Sequence, residues 1–118
     1  MDLKFISYNC RSVKNCHYSL AELTRVSDVI CLQETWLPVQ DSNYLNTIDS
    51  EFAYYAVSPV DLSRQLLVGR PYGGVAFLFR KSLASCIQRV STSSERIICI
   101  DIEIDGNCVR IINCYLPY

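Results

Sequence analysis

The sequence lacks several features that would identify common kinds of site. It has one histidine in 118 residues, His17, which directly follows Cys16, and it has no Cys-x-x-Cys pair. The ligand spacing of a zinc site and of a redox pair are therefore both absent. No apolar run approaches the roughly 20 residues that cross a bilayer, so we expect no membrane partner. Eleven basic and twelve acidic side chains give a net charge of −1, and bulk charge therefore offers no argument for nucleic-acid binding.

The sequence is rich in apolar residues and in cysteine. Half of the residues are hydrophobic and 19% are charged, which excludes disorder and leaves a surplus of apolar residues for a small domain. The seven cysteines are an odd number and most lie in apolar segments. We interpret them as buried thiols of an intracellular protein in a reducing compartment.

The apolar pattern predicts an α/β chain with a mixed sheet and flanking helices. Strands are predicted at residues 3–8, 28–33, 52–57, 75–79, 98–104 and 109–115, with the first two parallel. Ser19 and Glu22 have the spacing of a capping box, which predicts a helix over 19–26. A second short helix from Asp41 would bury Tyr44, Leu45 and Ile48. The string Asp-Gly-Asn at 105–107 predicts a tight hairpin between the last two strands.

Two polar residues follow the first two predicted strands. Asn9 ends the first and Glu34 ends the second, and ligands of α/β sheets bind at such carboxyl ends. A carboxylate and an amide oxygen suit Mg²⁺ or Mn²⁺, which prefer oxygen ligands. The same residues also fit an Asn9 that caps a turn and a Glu34 that is a solvated acid, and spacing alone favours this interpretation over a metal site.

Four strings, in this order, carry a resemblance to a known family. They are Tyr-Asn-Cys-Arg-Ser at 8–12, Gln-Glu-Thr-Trp at 33–36, Gly-Arg-Pro-Tyr-Gly-Gly at 69–74 and Asn-Cys-Tyr-Leu-Pro at 113–117. The chain resembles the endonuclease/exonuclease/phosphatase superfamily, and within it the apurinic-type endonuclease domain of non-LTR (LINE-like) retrotransposons. The resemblance implies a four-layered α/β sandwich that hydrolyses phosphodiesters or phosphomonoesters with a divalent metal.

The resemblance also implies roles for individual residues. Glu34 would be the metal-ligating carboxylate, Asn9 would help to hold the metal or the scissile phosphate, and Tyr115 would contact the phosphate. Arg11 stands where apurinic repair enzymes carry an acidic residue. It would bind a DNA phosphate or pair with Glu34, and the residues leave both alternatives open. His17 lies outside the family motifs, and we expect a surface histidine there.

The family motifs expected further along are missing. A Gly followed by Asp-x-Asn, a further Asp and an Asp-His pair do not occur at the expected places. We therefore expect residues 1–118 to be a partial domain, the N-terminal half of the sandwich, that is inactive as it stands. The apolar surplus would be the inner face of the first sheet, uncovered for want of a second sheet, and would promote self-association.

The resemblance supplies the expected partners and the alternatives. It implies a DNA endonuclease with Mg²⁺ (or Mn²⁺) as its cofactor, DNA as its substrate and the nucleus as its location. It also implies that the missing C-terminal half of the domain is a partner of this chain. The alternatives are a non-catalytic fragment, a residual nucleic-acid-binding module and a phosphatase of the same superfamily. Trp36 and Tyr72 fit base stacking and fit internal packing as well.

Overall fold

Two β-sheets pack face to face in the computed structural model, which describes residues 2–67 and 69–116. The strands are β1 Phe5–Asn9, β2 Val29–Gln33, β3 Phe52–Val57, β4 Val75–Arg80, β5 Ile87–Val90, β6 Ile97–Ile104 and β7 Asn107–Cys114. One α-helix, α1, spans His17–Thr24, and 3₁₀ helices span Val13–Cys16, Val39–Thr47 and Lys81–Cys86.

The first sheet has the strand order β1-β2-β4-β3. β1 and β2 are parallel, and the other two pairs are antiparallel. The connection from β1 to β2 carries α1, as parallel neighbours require. Val29, Ile30 and Leu32 of β2 have no exposed surface, which fits a short, apolar, central strand. The predicted mixed α/β architecture is confirmed.

The second sheet has the order β5-β6-β7 and covers the inner face of the first. Alternate residues of β6, Ile98, Ile100 and Ile102, pack against Val29 and Phe77 of the first sheet. The expectation that this face is uncovered is therefore wrong. The alternating isoleucines that predicted a half-buried strand are themselves the second layer of the core.

A second apolar cluster covers the other face of the first sheet. It joins strand residues such as Ile30 and Leu78 to Leu20 of α1 and Leu45 of the 3₁₀ helix Val39–Thr47. Leu45 and Ile48 are buried and Tyr44 packs beside them, so the predicted stripe faces the core. The predicted short helix is thus present as a 3₁₀ helix, and it begins at Val39, two residues before Asp41. The first sheet is thus the middle layer, with the helices on one of its faces and the second sheet on the other.

The predicted capping box at Ser19 is wrong. α1 begins at His17, its N-cap is Cys16, and no side chain caps it. The 3₁₀ helix Val13–Cys16 runs directly into α1, so the first turn of α1 continues an existing helix. Ser19 lies inside the helix and its side chain is not needed to begin it.

The predicted hairpin between the last two strands is confirmed. Asp105 and Gly106 form its turn with φ of 50° and 82°, the two positive values of a type I′ turn. Across the pair, the guanidinium of Arg110 donates from Nε and Nη2 to the Asp101 carboxylate at 2.8 and 3.0 Å. In the described part of the chain, no helix is long and apolar enough to cross a membrane.

Candidate active site

The carboxyl ends of β1 and β2 lie side by side. Asn9, the last residue of β1, is opposite Gln33, the last residue of β2, and Glu34 follows Gln33 directly. Asn9 is exposed and Glu34 is half-buried. We call residues 9–12 and 34–36 the rim. It brings an amide and a carboxylate to one edge of the sheet, where sequence reasoning expected them to be neighbours.

The backbone of the rim is held in unfavourable conformations. Arg11, Ser12, Glu34 and Trp36 have φ of 45°, 86°, 54° and 54°. Each such non-glycine residue costs on the order of 1–3 kcal/mol and persists only where the surroundings enforce it. Backbone hydrogen bonds supply that constraint: Ser12 N–H donates to Glu34 O, and Val13 N–H donates to Thr35 O, both at 3.0 Å. Strain of this kind concentrates at functional sites.

A glycine turn holds the rim from the other side. Thr35 N–H donates to Gly74 O at 3.2 Å and Trp36 N–H donates to Gly73 O at 2.9 Å. Gly74 has φ +93°, and a Cβ there would overlap the Thr35 Oγ1. Only glycine allows the turn to approach the buried Thr35 this closely.

Tyr115 lies beyond the end of β7, and its backbone N–H donates to Arg96 O at 3.1 Å. With Gly73, Gly74 and Arg96 it lines a cavity of about 230 Å³. The same glycine turn that contacts the rim therefore also borders the cavity of Tyr115. Arg96 was not predicted as part of the site, because nothing in its local sequence marks it.

Asn113 and Gln33 join the two sheets beneath the rim. Asn113 is buried, and its Oδ1 accepts a hydrogen bond from Gln33 Nε2 at 2.8 Å. In the sequence, both residues stand out only as parts of the family strings at 33–36 and 113–117. The available signal was a polar residue at an inward position of an apolar strand, since a buried amide requires internal partners.

The sequence model of the endonuclease/exonuclease/phosphatase family matches residues 6–116. The chain belongs to this family. No curated protein is found as a relative of the chain.

Solved structures share the fold at low sequence identity. The AP endonuclease LMAP from Leishmania major matches with a TM-score of 0.71 and 18% identity, over 98% of this chain and 40% of its own. The 3′ phosphatase NExo from Neisseria, bound to a product DNA hairpin, matches with a TM-score of 0.67 and 18% identity, over 97% of this chain and 41% of its own. The endonuclease domain of TRAS1, a telomere-specific non-LTR retrotransposon, matches with a TM-score of 0.56 and 9% identity, over 98% and 45%. The fold is thus that of the endonuclease/exonuclease/phosphatase family, and this chain spans about 40% of the first two structures.

Arg11 and His17 occupy different surroundings in this family member. Arg11 is exposed on the rim, and within the described residues no ion pair joins it to Glu34.

His17 begins α1, is half-buried, and its Nδ1 lies 2.8 Å from the Tyr44 hydroxyl oxygen. A hydrogen-bonded histidine packed on a tyrosine has a structural role, although it is less exposed than expected.

Trp36 packs beside the glycine turn. Its ring meets the Tyr72 ring edge to face, with centroids 4.8 Å apart, and the Arg70 guanidinium lies 5.8 Å from its centroid. Trp36 is half-buried while Tyr72 is 60% exposed. For Trp36 the packing interpretation is therefore the one that the structure supports.

The rim offers few ligands for a metal ion. Over residues 2–67 and 69–116, no three His, Cys, Asp or Glu side chains come together in a way that could hold a metal. A Glu carboxylate and an Asn oxygen fit Mg²⁺, which commonly keeps several waters and takes one or two carboxylates together with substrate phosphates. They do not fit a closed protein site for Zn²⁺.

Proposed function

We propose that residues 1–118 are part of a Mg²⁺- or Mn²⁺-dependent phosphodiester hydrolase domain that cleaves DNA. The observation that carries the proposal is the rim, where Asn9 ends β1 and Glu34, at a positive φ, directly follows the parallel strand β2. Membership of the endonuclease/exonuclease/phosphatase family supports phosphoester chemistry at this edge.

Glu34 and Asn9 are the residues proposed to hold the metal. When bound, the divalent cation would supply stabilisation of negative charge on the phosphoryl oxygens and on the leaving alkoxide. Glu34 contributes a formal negative charge and Asn9 a neutral oxygen. Glu34→Gln would therefore remove the charge while keeping the shape of the side chain.

Two further side chains are proposed to act on the phosphates. The Tyr115 hydroxyl would donate a hydrogen bond to an oxygen of the scissile phosphate, where negative charge develops as water attacks phosphorus. Arg11, exposed on the rim, would bind a DNA phosphate through its planar guanidinium. Both roles require the DNA to lie along the edge that β1, β2 and the glycine turn form.

The proposed substrate is DNA in a nuclear setting, as for the endonuclease of a non-LTR retrotransposon. Two observations support this branch: the Asn-x-Arg-Ser string at 9–12, and the structural likeness to the TRAS1 endonuclease domain. The likeness to an AP endonuclease and to a phosphatase bound to product DNA also supports a DNA substrate.

A phosphatase is the second candidate function. The structural likeness to the 3′ phosphatase NExo favours it, because the same rim would accept a terminal phosphate as readily as an internal one. The two candidates differ in the phosphate that is cleaved and not in the residues proposed to bind it.

We propose that the rest of the domain is the partner that completes the site. The chain spans about 40% of the AP endonuclease that it resembles. The family's Asp-x-Asn and Asp-His motifs would provide the acid–base groups, which typically contribute about 10²- to 10⁴-fold to the rate. The 118-residue chain alone is accordingly expected to be inactive.

The test is a cleavage assay on the product of the reading frame that contains this chain. Supercoiled plasmid reports phosphodiester cleavage, and an oligonucleotide with a 3′ phosphate reports phosphatase activity. We expect nicking with Mg²⁺, no nicking with EDTA, and loss of nicking in Glu34→Gln. Glu103→Gln is the matched control, since Glu103 is an exposed acid on β6. Release of phosphate without nicking would favour the phosphatase, and full nicking by Glu34→Gln would overturn the proposal.

A further inference from the structure

One buried amide connects the second sheet to two strands of the first. Asn113 on β7 is 3% exposed. Its Nδ2 donates to Leu32 O at 3.0 Å and to Ala76 O at 2.8 Å. Leu32 and Ala76 are opposite each other in the β2–β4 pair. A single side chain thus fastens β7 to both strands.

The chemistry of the partners fixes the orientation of this amide. The carbonyl oxygens of Leu32 and Ala76 only accept hydrogen bonds, so the NH₂ group of Asn113 must face them. Its Oδ1 then faces Gln33 and accepts from Nε2 at 2.8 Å. Both N–H donors and the oxygen of Asn113 are in use, and the amide has one orientation only.

Gln33 extends the connection to β1. Its Nε2 also lies 3.2 Å from Ser7 Oγ and 3.3 Å from Cys31 O. Nε2 has two hydrogens for these three acceptors, and the contact with Asn113 is the shortest. Ser7 Oγ also donates to Gln33 Oε1 at 3.4 Å, so the Gln33 side chain connects β7 with β1 and its bond to Asn113 is the shortest in the set.

This network lies directly beneath the rim. Gln33 is opposite Asn9 and immediately precedes Glu34. Asn113 lies two residues before Tyr115, whose own backbone N–H bonds to Arg96 O. Gln33 therefore leads into Glu34 on the first sheet, and Asn113 leads into Tyr115 on the second. The hydrogen bond between Gln33 and Asn113 joins the two segments that are proposed to contact the phosphate.

We propose that Asn113, acting through Gln33, is a positioning residue that fixes Tyr115 relative to Asn9 and Glu34. It does so by locking β7 onto β2 and β4, and it needs no contact with substrate. Its consequence for catalysis rests on the proposed function, whereas its effect on the geometry of the rim does not. The amide is buried with all of its donors used, so no smaller or apolar side chain reproduces the connection.

Two variants test this role. Asn113→Leu removes the three hydrogen bonds at similar size, and Asn113→Asp keeps the shape but turns a second acceptor oxygen towards two carbonyl oxygens. The control is Phe52→Leu. Phe52 is 1% exposed and lies opposite Arg80 at the other end of the first sheet, so this variant loosens the core away from the rim.

Amide hydrogen exchange measured by NMR separates a local role from a general one. The reporters at the rim are Cys10 and Tyr115, which donate to Gln33 O and Arg96 O. The reporters at the far end are Arg80 and Lys81, which donate to Asp28 O and Glu51 O. In both Asn113 variants we expect exchange at the rim to accelerate about tenfold or more, with a change of less than about threefold at the far end. Phe52→Leu should give the reverse pattern. Equal acceleration at both ends in the Asn113 variants, or none, would overturn the inference.

Cleavage kinetics of the intact protein test the catalytic consequence. Asn113→Asp should lower kcat and leave KM nearly unchanged, because the proposed Tyr115 hydrogen bond acts on charge that develops in the transition state and contributes little to binding of the ground state. Phe52→Leu, assayed well below its Tm, should change neither constant. An unchanged kcat in Asn113→Asp would contradict the positioning role. Absence of cleavage by the wild type would instead refute the proposed function, and the exchange pattern would still decide whether Asn113 fixes the rim.

Discussion

Gly74 and Thr35 are in such close contact that no other residue fits at position 74. A β-carbon on Gly74 would lie well under 3.0 Å from Thr35 Oγ1, and the backbone there has φ +93°. Thr35 is buried and stands between Glu34 and Trp36, both at φ 54°. The glycine turn therefore supports the strained part of the rim through direct contact.

Gly74→Ala should destabilise the protein and displace the rim. The positive φ alone costs a non-glycine residue on the order of 1–3 kcal/mol, and the overlap with Thr35 adds to that. The measurement is urea unfolding followed by the fluorescence of Trp36, the single tryptophan. Gly106→Ala is the control, because Gly106 has φ +82° and nothing within 4 Å of its would-be β-carbon. Equal losses in the two variants would show that the contact with Thr35 is unimportant.

The cysteines should react with iodoacetamide in the order of their exposure. Cys108 and Cys114 are exposed, so the interpretation of the cysteines as buried thiols is wrong for these two. Burial, with smaller contributions from Cys16 and Glu34, raises the pKa of the Cys10 thiol well above its usual range, and burial raises the pKa of Cys31 to about 11. Since the thiolate is the reactive form, mass spectrometry of native protein at pH 8 should find label on Cys108 and Cys114 and not on Cys10 or Cys31. Label on Cys31 at the rate of Cys108 would refute this.

The raised pKa of Cys31 also predicts a loss of stability in alkali. Its pKa rises from the ordinary 9.0 to about 11 on folding, so between these values the unfolded chain loses the proton first. The contribution is fully present below pH 9 and declines as the pH approaches 11. Because tyrosines and lysines titrate in the same range, the quantity to measure is the difference in unfolding free energy between wild type and Cys31→Ala. A difference that stays constant from pH 8 to pH 10.5 would be inconsistent with this shift.

Self-association of the 118-residue chain remains a prediction, but it now rests on exposed apolar residues of β1 and β7 and not on an uncovered inner sheet face. The inner face of the first sheet is covered, but Ile112 on β7 is 63% exposed and Phe5 on β1 is 42% exposed. Such apolar surface favours association, so sedimentation should detect oligomers that increase with concentration. Ile112→Ser should reduce them, whereas Leu66→Ser, at a loop position 93% exposed, should not. A monomer at every concentration would contradict the prediction.

The strands were largely predictable because their apolar runs are short and bounded. β3 spans the predicted residues, and β2, β4 and β6 differ from prediction by one residue at an end. β5 was missed because only Ile87 of its four residues is buried. The start of α1 was missed because a preceding 3₁₀ helix, and no side-chain cap, sets it.

In the candidate site, only the residues at the ends of the predicted parallel strands could be placed from the sequence. The meeting of β1 and β2 brings Asn9 and Glu34 to one edge, as parallel pairing requires. The bond between Gln33 and Asn113 joins residues 80 positions apart, and the residues that follow Glu34 are hydrogen-bonded to the distant Gly73–Gly74 turn. Neither feature has a local signature, since both arise from packing between distant segments.

Metal binding by residues 1–118 is the most direct test of the central claim that the rim holds a divalent cation. Mn²⁺ can be titrated into isotopically labelled protein while paramagnetic broadening of the side-chain NMR signals is followed. The account predicts that Asn9 and Glu34 broaden first, at the lowest Mn²⁺ concentrations, and that Glu34→Gln removes the effect while Glu103→Gln does not. Broadening that begins at the acidic side chains of β6, or that spares Asn9 and Glu34, would contradict the account.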